Sequence, residues 1–236
     1  MTRNLKALGL ALFAALALSA MAASAASAKH HFGAPKAPTD VTGSQGTQHI
    51  FTTEAGEVKC NTATFSGTQG SASTSEVTIT PHYTGCTAFG FASTHVKFNG
   101  CDYTFTTPTV DITPGEFTSE PPHVLCPGTS VVEITPTIPF FGTSVCTVTV
   151  EPQTPTSGHV LYKNEGSGDT RDVLVTSKVE GIHYTVHGGG GTCGTTESGG
   201  KTITHTDGKY TGTVTLKGYE DGNHAVHEPI LIETTS

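Results

Sequence analysis

Short runs in which apolar residues alternate with threonine are the feature that most constrains the fold of this chain. In "CTVTVEP", Val148 and Val150 point to one side of an extended strand, whereas Thr147 and Thr149 point to the other. Similar runs, separated by turn residues, recur from Ile50 onward, which is typical of a sandwich or a barrel. The pattern predicts an all-β fold, either an antiparallel β-sandwich or barrel-like modules, with essentially no helix in the mature chain.

Composition favours the same fold class. Threonine occupies 43 of the 236 positions, whereas only five leucines follow Ala28. Threonine, valine, isoleucine and aromatic residues suit strands, whereas leucine, alanine and methionine favour helices. The formal net charge is −8 and the chain has no basic cluster, so nucleic acid and anionic membranes are excluded as predicted partners.

The N-terminal residues predict export from a bacterial cell. Arg3 and Lys6 precede the apolar run "ALGLALFAALALSA", and small residues allow cleavage at several points up to Ala28. Residues 1–28 are therefore predicted to be a signal peptide, because the apolar run is too short for a membrane anchor. No cysteine lies near the cleavage region to carry a lipid. The mature protein is predicted to be secreted and extracellular, without a membrane anchor.

Three regions are predicted along the chain. Residues 29–48 are rich in proline, glycine and polar residues, which indicates a flexible leader. Residues 49–236 form the predicted all-β region. The segment "EPQTPTSG" is its best internal boundary, so two alternatives remain open: one continuous fold, or two sub-modules at 49–150 and 159–236.

Two dipeptides predict tight turns. Asn99-Gly100 in "FNGC" and Asp207-Gly208 in "TDGK" are typical of two-residue hairpin turns. The second dipeptide separates "TITHT" from "YTGTV", which predicts a hairpin there.

The cysteines predict disulfide bonds and not a zinc-binding or redox-active site. An even number in a secreted chain indicates a disulfide framework, and the nearest spacing of 15 residues excludes the close pairs of zinc and redox motifs. Six cysteines allow fifteen pairings. We favour Cys60–Cys86 and Cys126–Cys146, because each joins neighbouring runs, and this leaves Cys101–Cys193.

Aromatic residues surround two of these cysteines. We expect them to form the core that Cys86 fastens; the alternative is a row of rings and threonine hydroxyls that binds sugar. The absence of tryptophan favours the core. The residues are Tyr83, Phe89, Phe91, Phe98, Tyr103 and Phe105.

Several segments together carry a resemblance to a known set of proteins. They are "AGEVKCNTATFSGT", "PHYTGCTAFG", "VKFNGCDYTF", "CPGTSVVEI", "CTVTVEPQ" and "VEGIHYTVHGGGGTCGTT". With them the chain resembles secreted, six-cysteine, threonine- and glycine-rich proteins of actinobacteria that have no known activity. The resemblance covers most of the chain after residue 50 and implies a secreted, cysteine-fastened β protein.

Histidines give two candidate metal sites. Cleavage after Ala28 would leave Lys29-His30-His31 as the new terminus, where the third-position imidazole, the amine and two backbone nitrogens suit square-planar Cu(II) or Ni(II). A weaker candidate is His183 with His187, which lie four apart in a predicted strand and so share a face; an acidic residue elsewhere would complete a site. No cofactor is predicted.

No motif of an enzyme is present. The chain has no G-x-S-x-G elbow, and the protein is therefore predicted not to be an enzyme. The predicted function is that of a secreted extracellular structural or interaction protein, whose partner is an extracellular protein or a glycan. The alternative is an extracellular ligand-binding module for carbohydrate, or for Cu(II) or Ni(II) at the mature N-terminus. A secreted hydrolase is the third candidate.

Overall fold

The computed structural model describes residues 29–90, 92–138, 146–188, 193 and 202–235. The predicted signal peptide lies outside these residues. His30–Glu233 form one compact unit. The barrel, its interior and the contacts below all belong to His30–Glu233.

The described residues are nearly all β, which confirms the predicted fold class. They contain no α-helix, only a 3-10 turn at Gly168–Thr170, and within them no helix is long and apolar enough to cross a membrane. The strands are β1 (Lys29–Gly33), β2 (Thr39–Thr53), β3 (Gly56–Gln69), β4 (Ser73–Thr74), β5 (Glu76–Ala88), β6 (Ala92–Lys97), β7 (Asp102–Thr106), β8 (Val110–Thr113), β9 (Glu116–Ser119), β10 (His123–Leu125), β11 (Val132–Thr137), β12 (Thr147–Val150), β13 (Ser157–Glu165), β14 (Asp172–His187), β15 (Thr202–Glu220), β16 (Asn223–Glu228) and β17 (Leu231–Thr235).

Eight strands close into an antiparallel barrel. In chain order they are β2, β3, β5, β6, β11, β12, β14 and β15, and each pairs with the next. Strand β15 then pairs with β2, from Lys209 opposite Thr52 to Glu220 opposite Thr39, and this pairing closes the ring. Because consecutive barrel strands are neighbours, the topology is up-and-down. Of the two predicted architectures, the structure therefore has the barrel.

The remaining strands extend the barrel sheet or cover it. The first half of β5 pairs with β7, which pairs with β10, and the first half of β14 pairs with β13, followed by β9 and β8. Strand β16 pairs with the end of β15. Strands β17, β1 and β4 form a separate three-stranded sheet, from which Phe32 and Ile232 join the buried core.

The alternation seen in the sequence fills the barrel interior. In β5, Val77, Ile79 and Tyr83 are buried, whereas the intervening Thr78 and Thr80 are exposed. Each strand thereby removes one apolar face from water, and this burial stabilises the fold by about 25 cal/mol per Å² of apolar area. The threonines face outward, where their hydroxyls stay hydrated or pair across strands.

All six cysteines form disulfides. The predicted Cys60–Cys86 bond is confirmed, and it joins residues that lie directly opposite each other on β3 and β5. The predicted Cys126–Cys146 and Cys101–Cys193 bonds are wrong; the other bonds are Cys101–Cys126 and Cys146–Cys193. The reason is strand pairing, because β10 lies against β7 and brings Cys126 beside Cys101.

The predicted flexible leader at residues 29–48 is wrong, because β1 and most of β2 lie within it. Val41 is buried, and a Cβ at Gly43 would lie 2.8 Å from Phe65 and 2.9 Å from Leu216. The glycine content that suggested flexibility therefore serves close packing inside the barrel.

Of the two alternatives left open for residues 49–236, the structure has the continuous fold, and the second predicted turn is corrected. The chain does not divide into sub-modules at residues 151–158, since β14 and β15 complete a barrel begun by β2. The predicted hairpin at Asp207-Gly208 is wrong, because β15 runs continuously through it. Gly208 lies against Ile182, where a Cβ would be 2.7 Å from the Ile182 carbonyl oxygen.

The predicted turn at Asn99-Gly100 is confirmed, and the two residues have φ angles of 52° and 81°.

Candidate functional site: the barrel cavity

The barrel interior contains a partly open cavity of about 140 Å³. Its wall is mainly apolar and includes side chains that retain accessible surface although they point inward: Phe51, Val96, Phe98, Phe105 and Leu216. Protein cores rarely hold voids larger than one water molecule. A cavity of this volume is therefore a distinct feature of the fold.

Four polar aromatic side chains from four strands meet at the cavity. His49 of β2 lies with its Nδ1 2.5 Å from the Tyr210 hydroxyl of β15, which lies 2.6 Å from the Tyr83 hydroxyl of β5. Tyr103 of β7 lies beside them, with its ring centroid 6.3 Å from that of Tyr210. We call these four residues the Tyr–His chain.

The hydrogen bonds of the Tyr–His chain run in one direction. His49 Nε2 lies 3.3 Å from the backbone oxygen of Thr213. A carbonyl oxygen only accepts, so Nε2 carries the proton and Nδ1 of the neutral ring is an acceptor. Tyr210 therefore donates to His49, and Tyr83 donates to Tyr210. The hydrogen bonds of this series end at the Tyr83 hydroxyl.

Local irregularities of two strands make room for His49. The register between β2 and β3 shifts between Ser44 and His49, and β15 shifts against β2 between Thr211 and Val214. Bulges of this kind re-aim side chains. At Gly212 a Cβ would overlap the His49 imidazole. The imidazole, only 4% exposed, therefore depends on both the bulge and the glycine.

The cavity is uncharged at neutral pH. Burial lowers the pKa of His49 to about 4, although its hydrogen bond to Thr213 acts in the opposite direction. Burial raises the pKa of Tyr103 to about 12 and raises those of Tyr83 and Tyr210 well above 10. Among the described residues of the cavity wall, none is Asp, Glu, Lys or Arg. The site can hold an apolar group and form hydrogen bonds, but it offers no partner to an ion.

The aromatic residues predicted to be core divide between the cavity and its surroundings. Tyr83, Phe98, Tyr103 and Phe105 line the cavity. Phe89 occupies a tight turn with φ of 56° and packs against the other part of the core. Phe91 lies outside the described residues.

The histidines predicted as metal ligands lie apart from the cavity wall. His30 Nε2 is 2.9 Å from Asp111, and His31 Nε2 is 2.8 Å from Glu233, so both imidazoles have carboxylate partners in the fold. The copper or nickel site at a terminus beginning with Lys29 stays a prediction.

The weaker pair, His183 and His187, lies on the exposed face of β14, as the four-residue spacing predicts. The His187 imidazole contacts the hydroxyls of Thr149 and Thr202. Across the part of the chain that the structure describes, no three His, Cys, Asp or Glu side chains are grouped as a metal site.

The sequence interpretation missed His49 and Tyr210. A signal for Tyr210 was present, because the alternation that places Val214 and Leu216 on one face of "YTGTVTL" also places Tyr210 and Gly212 there. His49 is in phase with Phe51 in the same way, but the assignment of residues up to 48 to a leader separated it from its strand.

Comparisons with known proteins do not assign the chain to a family. No protein-family model matches the chain, and no curated protein or solved structure matches it either.

Proposed function

We propose that this protein is a secreted binding protein that holds one small, mainly apolar molecule inside its barrel. The observation that carries the proposal is the apolar cavity of about 140 Å³. An engineered cavity of about 150 Å³ lined by Leu, Ile and Phe stays dry and binds benzene or xenon. The volume therefore suits a single aromatic ring or a short alkyl group. The interior of an eight-stranded barrel is just wide enough to be filled by side chains or to hold one small ligand.

A ligand in the cavity would make dispersion contacts with its mainly apolar wall. Binding would therefore stabilise the fold as well as remove the ligand from water.

Among the functions predicted from the sequence, the cavity favours the ligand-binding alternative over a structural or interaction role. It also changes the predicted ligand class. A carbohydrate carries many hydroxyls that each need a hydrogen-bonding partner when buried, and this wall is mainly apolar. The signal peptide predicted at residues 1–28 supports action outside the cell.

The proposal is tested by benzene and xenon binding. Benzene affinity is measured by isothermal titration calorimetry, and xenon binding by ¹²⁹Xe NMR. Val96 points into the cavity from β6, so Val96→Phe fills the space that the ligand needs. Val110, which is 52% exposed on β8 and outside the cavity wall, provides the matched control Val110→Phe.

We expect the wild type and Val110→Phe to bind both probes, and Val96→Phe to bind benzene at least tenfold more weakly. If the wild type binds neither probe, the proposed function is wrong. Equal benzene binding by Val96→Phe and Val110→Phe would place the ligand elsewhere and would contradict the proposal as well.

A further inference from the structure

We propose that Ser177 anchors the ligand of the cavity: its hydroxyl forms a hydrogen bond with the single polar group of an uncharged, otherwise apolar molecule such as a phenol. Ser177 lies on β14, where it lines the cavity and is 8% exposed. The inference rests on the proposed function and adds the class of ligand and the residue that recognises its polar group.

Ser177 interrupts an apolar stripe on the inner face of β14. The alternation of this strand buries Val173, Val175 and Val179 on the same face, so the serine stands where the pattern otherwise places valine. Valine suits a strand and would bring no hydroxyl that needs a partner. Packing alone therefore does not account for a hydroxyl at this position.

Within the part of the chain that the structure describes, the Ser177 hydroxyl has no hydrogen-bonding partner. In native proteins the large majority of buried polar side-chain atoms have one. Because Ser177 lines the cavity, a polar group of a ligand can supply the missing partner. The other buried polar side chains of the described wall already have partners: His49 and Tyr83 within the Tyr–His chain, Gln69 at the Phe32 backbone oxygen, and Tyr162 at Ser119.

The position of Ser177 also places it beside the polar part of the wall. It lies directly opposite Gly212 on β15, the residue against which the His49 imidazole packs. Directly opposed residues on neighbouring strands have Cα atoms about 5 Å apart. A polar group bound to Ser177 therefore lies near the Tyr–His chain, while the apolar body of the ligand contacts wall residues such as Val175 and Val179.

The wall favours an uncharged polar group. Among its described residues none is Asp, Glu, Lys or Arg. A carboxylate or an ammonium group in the cavity would lose its hydration without an opposite charge to compensate that loss. A serine hydroxyl both donates and accepts hydrogen bonds, which suits the hydroxyl of a phenol.

Phenol and toluene are the probes for this inference, since they have nearly the same size and differ in the hydroxyl. Calorimetry gives the dissociation constants of both for the wild type, for Ser177→Ala and for the matched control Ser119→Ala. Ser119 is also buried, at 5% exposure, but it lies outside the described cavity wall. Its Oγ donates to the Glu120 backbone oxygen at 2.8 Å.

We expect Ser177→Ala to weaken phenol binding at least fivefold and to change toluene binding less than twofold, because only phenol loses a hydrogen bond. Ser119→Ala is expected to change neither by more than twofold. Retained toluene binding shows that a variant is folded and that its cavity is intact.

The stability of the ligand-free variants is a second measurement. Ser177→Ala removes a buried hydroxyl that has no partner, so its midpoint of urea unfolding is expected to be at least as high as that of the wild type. Ser119→Ala removes a hydrogen bond, and its midpoint is expected to be lower. A lower midpoint for Ser177→Ala together with unchanged phenol binding would show that the hydroxyl serves the fold, and this would overturn the inference.

The outcomes separate this inference from the proposed function. If toluene binds the wild type but phenol does not, or if Ser177→Ala weakens phenol no more than toluene, the anchor is wrong and the cavity function stands. If none of toluene, benzene and xenon binds the wild type, the proposed function fails, and this inference fails with it. Benzoate binding at pH 7 as tight as that of phenol would contradict the uncharged ligand.

Discussion

The Tyr210 hydroxyl donates a hydrogen bond to His49 Nδ1, 2.5 Å away, in the interior of a mainly apolar barrel. Histidine and tyrosine lose hydration when they are buried, and each needs a partner to offset that loss. Here the two side chains are partners of each other, and the Thr213 carbonyl and the Tyr83 hydroxyl satisfy their remaining groups. The pair is therefore stable only while His49 is neutral.

Stability is expected to fall as the pH drops from about 6.5 to 4. The folded pKa of His49 is about 4 and the ordinary value is 6.5, so between these values the unfolded chain binds a proton that the folded chain does not. The stability that depends on a neutral His49 is fully present above pH 6.5, and the loss of this stability approaches roughly 3 kcal/mol below pH 4. Urea unfolding at pH values from 7.5 to 4 measures this change.

His49→Gln removes the titrating group while keeping an acceptor for Tyr210, so its stability should depend less on pH than that of the wild type. His82 is exposed on β5, and His82→Gln should keep the wild-type pH profile. Identical profiles for the wild type and His49→Gln would show that His49 does not carry the pH dependence.

Gly212→Ala is expected to destabilise the protein by about 1–3 kcal/mol, as overpacking of a core does. The added Cβ would overlap the His49 imidazole, which the β2 bulge holds in place. The midpoint of urea unfolding gives the effect. At Gly70 a Cβ would meet nothing within 4 Å, so Gly70→Ala is the control with little expected change. A Gly212→Ala variant as stable as the control would mean that the imidazole can move away freely.

The fold class could be predicted from the sequence because strand alternation is local. Val148 and Val150 face inward and their threonine neighbours outward, as the two-residue period requires. Closure of the barrel could not be predicted, since the pairing of β15 with β2 joins residues far apart in the chain. The two wrong disulfide predictions have the same cause, because which cysteines meet depends on strand pairing that no single segment encodes.

The candidate site was predictable only in part. Tyr83 and Tyr103 were expected in the core from their aromatic character, and both lie at the cavity. The cavity itself depends on how side chains from all strands fill the barrel, which no single segment encodes. The position of His49 depends on a bulge, whose extra residue is invisible to a two-residue period.

Non-reducing peptide mapping is expected to find three linkages, Cys60–Cys86, Cys101–Cys126 and Cys146–Cys193. Recovery of a peptide pair linking Cys126 to Cys146 would contradict the strand arrangement around β7 and β10.

Replacing Cys60 and Cys86 together by alanine should lower the free energy of unfolding by about 2–4 kcal/mol, because the unfolded chain loses a closed loop. Urea unfolding of this double variant measures the loss.

Asn164→Asp is expected to destabilise the attachment of β17 in a pH-dependent way. The Asn164 side chain donates to the Ile232 backbone oxygen and accepts from the Ile232 backbone N–H, both at 2.8 Å. An aspartate keeps the acceptor but places a charged oxygen against the Ile232 carbonyl, so we expect a loss of about 2 kcal/mol at pH 7.

The deficit of Asn164→Asp should shrink at low pH. A protonated carboxyl can again donate to the Ile232 oxygen, so the folded state favours protonation and the pKa of the new side chain should lie above its unfolded value. The deficit relative to the wild type is then present above that folded pKa and decreases as the pH falls through it. Urea unfolding of both proteins at pH 7 and pH 3.5 gives the comparison. Asn61 is exposed, and Asn61→Asp should show little deficit at either pH. A deficit of Asn164→Asp that is the same at both pH values would show that the two hydrogen bonds do not hold β17 in solution.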